Sequence, residues 1–336
     1  MEKAYEQQEG KVIDPSDKFE HVMALTLDPL SHNKKGVLRC ITSREGDIKV
    51  KGYIDRSKLY KISGTSLEHF EIGEPLRIKN QEEILASLTQ PGWDFIGLED
   101  PDLWVDPDTG LLHMYFTIPI RPAHDDEKIK IHLGHAVGQD LDSLVMTVPA
   151  LLNTGINDSA KEVSIVPKNS GSSRYNLVES RDRQAHTTYS TVRVAIAENM
   201  AAPWIFGETV FNPADHTIPW IGGHASPGPL FPKSFIDIGE NKLVGVINGR
   251  EANKEVDGKT LYGVFSVGLF IYDYEEGKVD WVSVRPFIRD TEAKTITFAS
   301  QFIETAPGAG ILYAHVDDSF VRAYSLNAEG IKSLLP

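Results

Sequence analysis

Glu99, Asp100 and Asp102 stand close together in Gly97-Leu-Glu-Asp-Pro-Asp-Leu-Trp-Val105, just ahead of the apolar run Leu111-Leu-His-Met-Tyr-Phe-Thr117. A carboxylic acid at the mouth of a strand can be partly desolvated, which raises its pKa and suits it to donate a proton to a leaving group. The same residues also fit a turn or an internal salt bridge. Asp106-Pro-Asp-Thr-Gly110 reads as a tight turn, because Asp opens such turns, Pro presets φ and Gly closes them. Arg39 lies within the apolar strand Gly36-Val-Leu-Arg-Cys-Ile41, and a cation in that setting must face a channel or a partner carboxylate. His113, His132, His135, His186, His216, His224 and His315 form no H-E-x-x-H pattern or paired metal spacing, so neither a metal nor a cofactor is expected. His224 follows Trp220 in a Gly/Pro-rich loop of the sort that lines a cavity mouth. Of the tryptophans, Trp93 in the polar loop Gln90-Pro-Gly-Trp-Asp94 is best placed to stack on a ring-shaped ligand, whereas Trp104 and Trp220 can serve either a ligand or the core.

The elements that must position these residues are strands. Helical periodicity is confined to Gln81-Glu-Glu-Ile-Leu-Ala-Ser-Leu88 and Ala328-Glu-Gly-Ile-Lys-Ser-Leu-Leu335, while Leu243–Ile247, Leu269–Asp273 and Gly310–Ala314 are β-branched or aromatic runs bounded by turn residues. A strand followed by a second apolar stretch recurs at Lys58–Phe70, Ile131–Gly138, Val192–Trp204, Leu261–Phe270 and Phe320–Leu326. These units predict an all-β chain, a five-bladed β-propeller, in which radial repetition avoids long exposed edges. A pair of β-sandwiches is the alternative. The whole chain, 1–336, reads as one domain, with residues 1–20 as a peripheral N-terminal extension.

Composition narrows the partners. A net charge of −14 argues against nucleic acid phosphates and anionic membrane surfaces. With one cysteine, Cys40, the chain forms neither an internal disulfide nor a cysteine-based zinc site. No run is apolar enough for a signal peptide or a membrane span, so a cytoplasmic protein is expected; oligomeric state is not legible.

Gly97-Leu-Glu-Asp-Pro101 before a strand resembles the G-x-E-D-P motif of glycoside hydrolase family 130, five-bladed propellers that include mannoside phosphorylases and β-mannosidases. Further stretches are similar to later elements of that family. Lys161-Glu-Val-Ser-Ile-Val-Pro167 resembles its K-D-x-x-x-F-P run, with Glu162 where that run has its acid, and Gly222–Leu230, Lys242–Gly249 and Tyr262–Asp273 are similar to its G-x-G-x-P-P, L-x-x-Y-H-G and Y-x-x-G-x-x-L-L-D succession. Ile296-Thr-Phe298 and Tyr313-Ala-His-Val-Asp317 resemble the closing V-x-F and Y-x-G-A-A-D elements. The order holds from about residue 36 onward.

The resemblance implies an inverting reaction on a mannoside or related oligosaccharide, with Asp100 as proton donor. It also implies sugar-binding roles for Arg39 and for Asp317, the latter as the closing aspartate. Family phosphorylases carry an Arg after E-D-P and a His in Y-H-G; here those positions are Asp102 and Asn248. An anion beside a phosphate site repels phosphate, so hydrolysis is expected, although Arg181 and Arg250 lie near enough to compensate. Hydrolysis with inversion needs a second carboxylate about 6.5–9.5 Å from the acid, and the candidates are Glu179 and Glu162. Three rivals stand beside this expectation: a phosphorylase of the same fold, a family 43-like enzyme in which Asp102 tunes a later acid, and a carbohydrate-binding propeller without catalysis. Ser226-Pro-Gly-Pro229, where family 43 has an E-G-P-like element, counts against the second.

Overall fold

The computed structural model describes residues 3–16, 18–123, 129–155, 158–182 and 189–336, and among these the chain is nearly all strand. The first sheet runs Val22–Leu27, Lys35–Glu45, Ile54–Ser66 and His69–Pro75 in order. A second carries Glu99–Val105 and the short Asp94–Phe95 beside Leu112–Arg121, then Lys130–Gly138 and Val145–Met146. A long sheet contains Lys161–Ser164, Arg174–Asp182 and Tyr189–Ala197, with Ile205–Phe211 on the last of these, and continues into His224–Leu230, Lys242–Arg250, Phe265–Asp273 and Lys278–Val282. One parallel bridge, Ser190 to His224, joins its two halves. A closing sheet holds Thr297–Ala306, Ala309–Val316 and Phe320–Asn327.

Tyr5–Ile13 completes that closing sheet by pairing antiparallel with Phe320–Asn327. The N-terminal segment is therefore a structural strand and not the peripheral extension expected from its polarity. Its inward residues Val12 and Ile13 are buried, and the fully buried Arg322 donates to the carbonyls of Glu9 at 2.7 Å and Gly10 at 3.2 Å.

The strands that open each unit touch one another in a closed ring. Val22–Leu27 lies against Glu99–Val105, that strand against Lys161–Ser164, then His224–Leu230, then Thr297–Ala306, which returns to Val22–Leu27. Apolar clusters fill the wedges between successive sheets: Leu59 with Leu103 and Phe116, Tyr115 with Val163 and Val178, Leu177 with Ile247 and Phe270, Val246 with Phe302 and Tyr324, and Leu38 with Tyr313. Burying both faces of every sheet against its neighbours is what a β-propeller-like ring does. The recurring sequence unit coincides with the third strand of each four-strand set. Helices form at Gln81–Leu88 and Ala328–Lys332; among the described residues no helix is long and apolar enough to cross a membrane.

Candidate active site

Every ring strand carries a register shift, near its start in four of them, between Met23 and Thr26, Glu99 and Asp102, Lys161 and Val163, and Ala299 and Gln301, and at the end of His224–Leu230, between Pro227 and Leu230. At three of them a non-glycine residue takes the left-handed conformation: Ala24 at φ 50°, Asp100 at φ 48° and Glu162 at φ 49°. Such backbone costs about 1–3 kcal/mol and re-aims a side chain, here into the axis of the ring. Asp100 and Glu162 are thus equivalent positions on neighbouring units, and both line a central cavity of about 280 Å³ together with Glu99, Arg39, Lys161 and Arg181.

Gly97 makes the approach possible. Its φ of 150° suits glycine, and a Cβ there would lie 2.3 Å from the Ser57 carbonyl oxygen. The Ser57 hydroxyl donates to the Leu98 carbonyl at 3.0 Å and accepts from Arg39 Nε at 3.1 Å. Arg39 then spreads its two terminal nitrogens over the acids, Nη1 to Asp100 at 2.9 Å and Nη2 to Glu99 at 2.7 Å. The cation in the apolar strand has found both a channel and partner carboxylates. Burial opposes its charge, yet Glu99 and Asp100 hold it protonated. Burial also pushes Glu99 up to about 7 against the pull of Arg39. Glu162 is raised well above the usual carboxylate range, first by burial and then by the facing Asp100 carboxylate. Glu162 therefore retains a proton opposite the Asp100 carboxylate.

Glu179, the other expected base, is not among the cavity-lining side chains. It is buried behind Lys161, whose Nζ is 3.5 Å away, and His224, whose Nε2 lies 3.1 Å from Oε2 but out of line for a hydrogen bond. Burial would raise its pKa, but His224 and Lys161 hold it well below the usual range. His224 packs edge-on against Phe265 and is driven down to about 4 by burial, so it is neutral despite its neighbour.

Several expected ligands have structural duties instead. Asn248 is fully buried, exchanges two hydrogen bonds with the Ala299 backbone at 3.0 and 2.8 Å, and is not among the residues lining the cavity. Trp93 packs with Phe95 on the apolar cluster of the second sheet, away from the cavity. Trp220 is buried with Nε1 donating to the Ser283 carbonyl at 3.0 Å. The Asp317 carboxylate accepts from the amides of Lys294, Thr295 and Ile296 at 2.7–3.2 Å and from the Thr295 hydroxyl at 2.9 Å. It caps a loop and does not face the cavity. Asp106 and Asp108 form the expected turn, with Asp106 accepting from Asp108 and Thr109.

The next residue, Asp318, is the one that lines the cavity. His315 Nε2 is 3.2 Å from its Oδ1 and the Tyr53 hydroxyl donates to Oδ2 at 3.2 Å; although burial opposes its charge, His315 and then the positive charges of Arg39 and Arg44 hold its pKa below the usual carboxylate range. Counting would have found it: the aspartate of Y-x-G-A-A-D stands five places after the tyrosine, which from Tyr313 is Asp318. Tyr53, Asp55 and His315 were also missed; Asp55 is clamped by Arg44 Nε and Nη2 at 2.7 and 2.6 Å. Arg181 lines the cavity without an ion pair among the described residues, and burial lowers its proton affinity. Arg250 lies 4.5 Å over the Tyr262 ring. Of the other histidines named from the sequence, His113 and His135 form a buried pair at 2.9 Å, His132 Nδ1 accepts from the Asn153 amide at 2.9 Å and His216 stacks on Phe211; His186 lies outside the described residues.

Asp102 faces away from this chamber into a smaller cavity of about 50 Å³ farther along the ring axis, where its Oδ2 accepts from Trp104 Nε1 at 2.7 Å. Its carboxylate is thus not beside a phosphate bound in the larger chamber, and the electrostatic objection to phosphate loses its footing.

No family model matches the sequence and no curated protein matches it. Among solved structures, a glycosyl hydrolase from Bacteroides ovatus superposes with a TM-score of 0.66 at 17% identity, covering 97% of this chain and 94% of that one. The β-1,2-mannobiose phosphorylase of Listeria innocua gives 0.62 at 13%, covering 99% and 94%. A GDP-Man-dependent mannosyltransferase from Leishmania mexicana gives 0.53 at 13%, covering 94% and 88%. At these identities the likeness is one of fold, and the fold accommodates hydrolase, phosphorylase and transferase alike.

Proposed function

We propose that the chain is a five-bladed propeller of the family 130 type that cleaves the glycosidic bond of a mannoside or related oligosaccharide with inversion. The blade count is supported by the ring of five opening strands and by the single bridge at which the long sheet divides. One observation carries the chemistry: two bulged ring strands aim Asp100 and Glu162 at each other in the central cavity, where Glu162 keeps a proton and Arg39 fixes Asp100. Glu162 hands that proton to Asp100, and Asp100 delivers it to the glycosidic oxygen as the C–O bond breaks, which leaves the pair one proton short.

Water is the acceptor in this reading. Glu162 holds the proton opposite the Asp100 carboxylate and so does not act as the base, and Glu179 is sealed behind Lys161 and His224. Of the other cavity-lining carboxylates, Glu99 is ion-paired with Arg39 and Asp55 with Arg44, whereas the Asp318 carboxylate contacts His315 and Tyr53 and forms no ion pair with an arginine or lysine among the described residues. Asp318 is therefore the general base. A second reading, phosphate as acceptor, is favoured by Arg181, a cavity-lining cation with no ion pair among the described residues.

Release of reducing sugar from β-linked mannooligosaccharides, followed with and without phosphate, tests both. Turnover without phosphate, with the α-anomer appearing first by NMR, is the expected result; strict phosphate dependence turns the assignment to phosphorolysis. Asp100→Asn should lose at least a thousandfold in kcat, and near wild-type turnover by that variant overturns the assignment of the acid.

A further inference from the structure

The two central cavities lie in series. Residues lining the upper one open the ring strands, as Met23, Glu99, Lys161 and Phe298 do; those lining the lower one follow directly on the same strands, as Ala24, Asp102, Val163 and Ala299 do. Asp100 and Glu162 line both, so the proposed acid pair is the partition between them. The lower cavity, about 50 Å³, has room for a water molecule or two. Its polar lining is Asp100, Asp102, Glu162, Ser300 and Gln301, and no cation lines it among the described residues. Asp102, Trp104, Leu230 and Gln301 each keep part of their surface accessible.

An acid that protonates a leaving group must recover a proton every turnover, and a sugar in the upper cavity covers its front. We propose that Asp102 and water in the lower cavity form a rear proton path that recharges the Asp100–Glu162 pair. The inference rests on the catalytic reading above. The Asp102 carboxyl O–H gives its proton to a cavity water, which passes one of its own to the pair's carboxylate; Asp102 then regains a proton from solvent at its accessible edge. Only O–H bonds break and form, and the negative charge moves from the pair to Asp102. Asp102 is suited to this exchange because burial pushes it up to about 7, the Trp104 and Leu103 N–H groups opposing. Tyr115, paired with it on the next strand, does not compete, since its hydroxyl donates to the Met200 carbonyl at 2.6 Å. Asp102 does not touch sugar and is a positioning residue that acts through the pair.

The experiment measures kcat and KM from pH 5 to 9 on a mannooligosaccharide that the wild type cleaves, for Asp102→Asn, Asp102→Glu and Trp104→Phe, with melting curves alongside. Asp102→Asn is expected to lose at least tenfold in kcat with KM within twofold, to regain part of it in added formate, and to show an enlarged solvent isotope effect on kcat. Asp102→Glu should recover most of the rate. Trp104→Phe should move the alkaline limb upward, because a hydrogen bond to the charged form is gone. If Asp102→Asn does not fold, the other two variants decide: unmoved pH limbs in both overturn the path. Wild-type kcat and pH dependence in Asp102→Asn overturn it as well, as does an equal loss of rate and melting temperature in the Asn and Glu variants. Asp100→Asn keeps the two ideas apart. If it is dead while Asp102→Asn is normal, only the rear path falls; if it is active, the catalytic reading falls with it.

Discussion

Asp102 holds its proton more tightly folded than unfolded, at about 7 against the usual 3.8, because its carboxylate is desolvated. A carboxyl raised in this way contributes stability that is fully present below the unfolded value and is lost as pH climbs from about 4 to about 7. Asp102→Asn should therefore lose less stability than the wild type between pH 4.5 and 7.5, measured by urea unfolding at both. A steeper fall in the variant would contradict the assignment. Asp317 and Asp318 make a second contrast between neighbours. Asp317→Ala strips an acceptor from three backbone amides and should cost about 1–3 kcal/mol of stability with KM little changed. Asp318→Asn, whose carboxylate faces the cavity, should leave the melting temperature within a few degrees and reduce kcat at least a hundredfold if it is the base.

Strand bulges convert an ordinary antiparallel ladder into the rim of the central cavity, since a straight strand would alternate its side chains between two buried faces and send none down the axis. At the rim, the segment around Lys49–Lys51 meets the hairpin Lys254–Val256 and Lys259–Leu261: Lys51 N donates to the Thr260 carbonyl and Tyr262 N to the Lys49 carbonyl, both at 3.0 Å. This strap joins the first sheet to the second half of the long sheet above Tyr53. Val50 and Leu261 are its facing, non-hydrogen-bonded pair, a geometry with Cα atoms about 4.5 Å apart that accommodates a disulfide. The double variant Val50→Cys, Leu261→Cys should oxidise in air, undisturbed by the buried Cys40, whose thiol burial pushes up to about 12. Oxidation should stabilise the fold by about 2–5 kcal/mol. Free thiols persisting under oxidant would mean that the strap does not form.

At the scale of the whole molecule, the ring closes through the chain's two ends, because Tyr5–Ile13 supplies the outer strand of the closing sheet and Arg322 ties it down with Asp290 and Glu292. Deleting residues 1–13 bares the edge of Phe320–Asn327 and uncovers apolar surface around Tyr324, so the shortened chain should aggregate or melt at least 10 °C lower, as scanning calorimetry would measure. Composition and strand period were enough to read an all-β repeat, both helices and the Asp106 turn, because those features are local: alternation, turn chemistry and a proline fix them within a few residues. The N-terminal strand was not legible, since its partner lies some three hundred positions away and its own sequence is polar on one face. Nor were the fates of Asn248, Trp93, Glu179 and Asp317, each decided by which backbone or apolar cluster the ring brings beside it. The sequence by itself determined which carboxylates and arginines are present and that strands must carry them. Tertiary structure alone decided which of them meet, because bulges and ring closure set where side chains point: Asp100 toward Glu162 and Arg39, Asp318 into the same chamber, and Asp102 into the cavity behind.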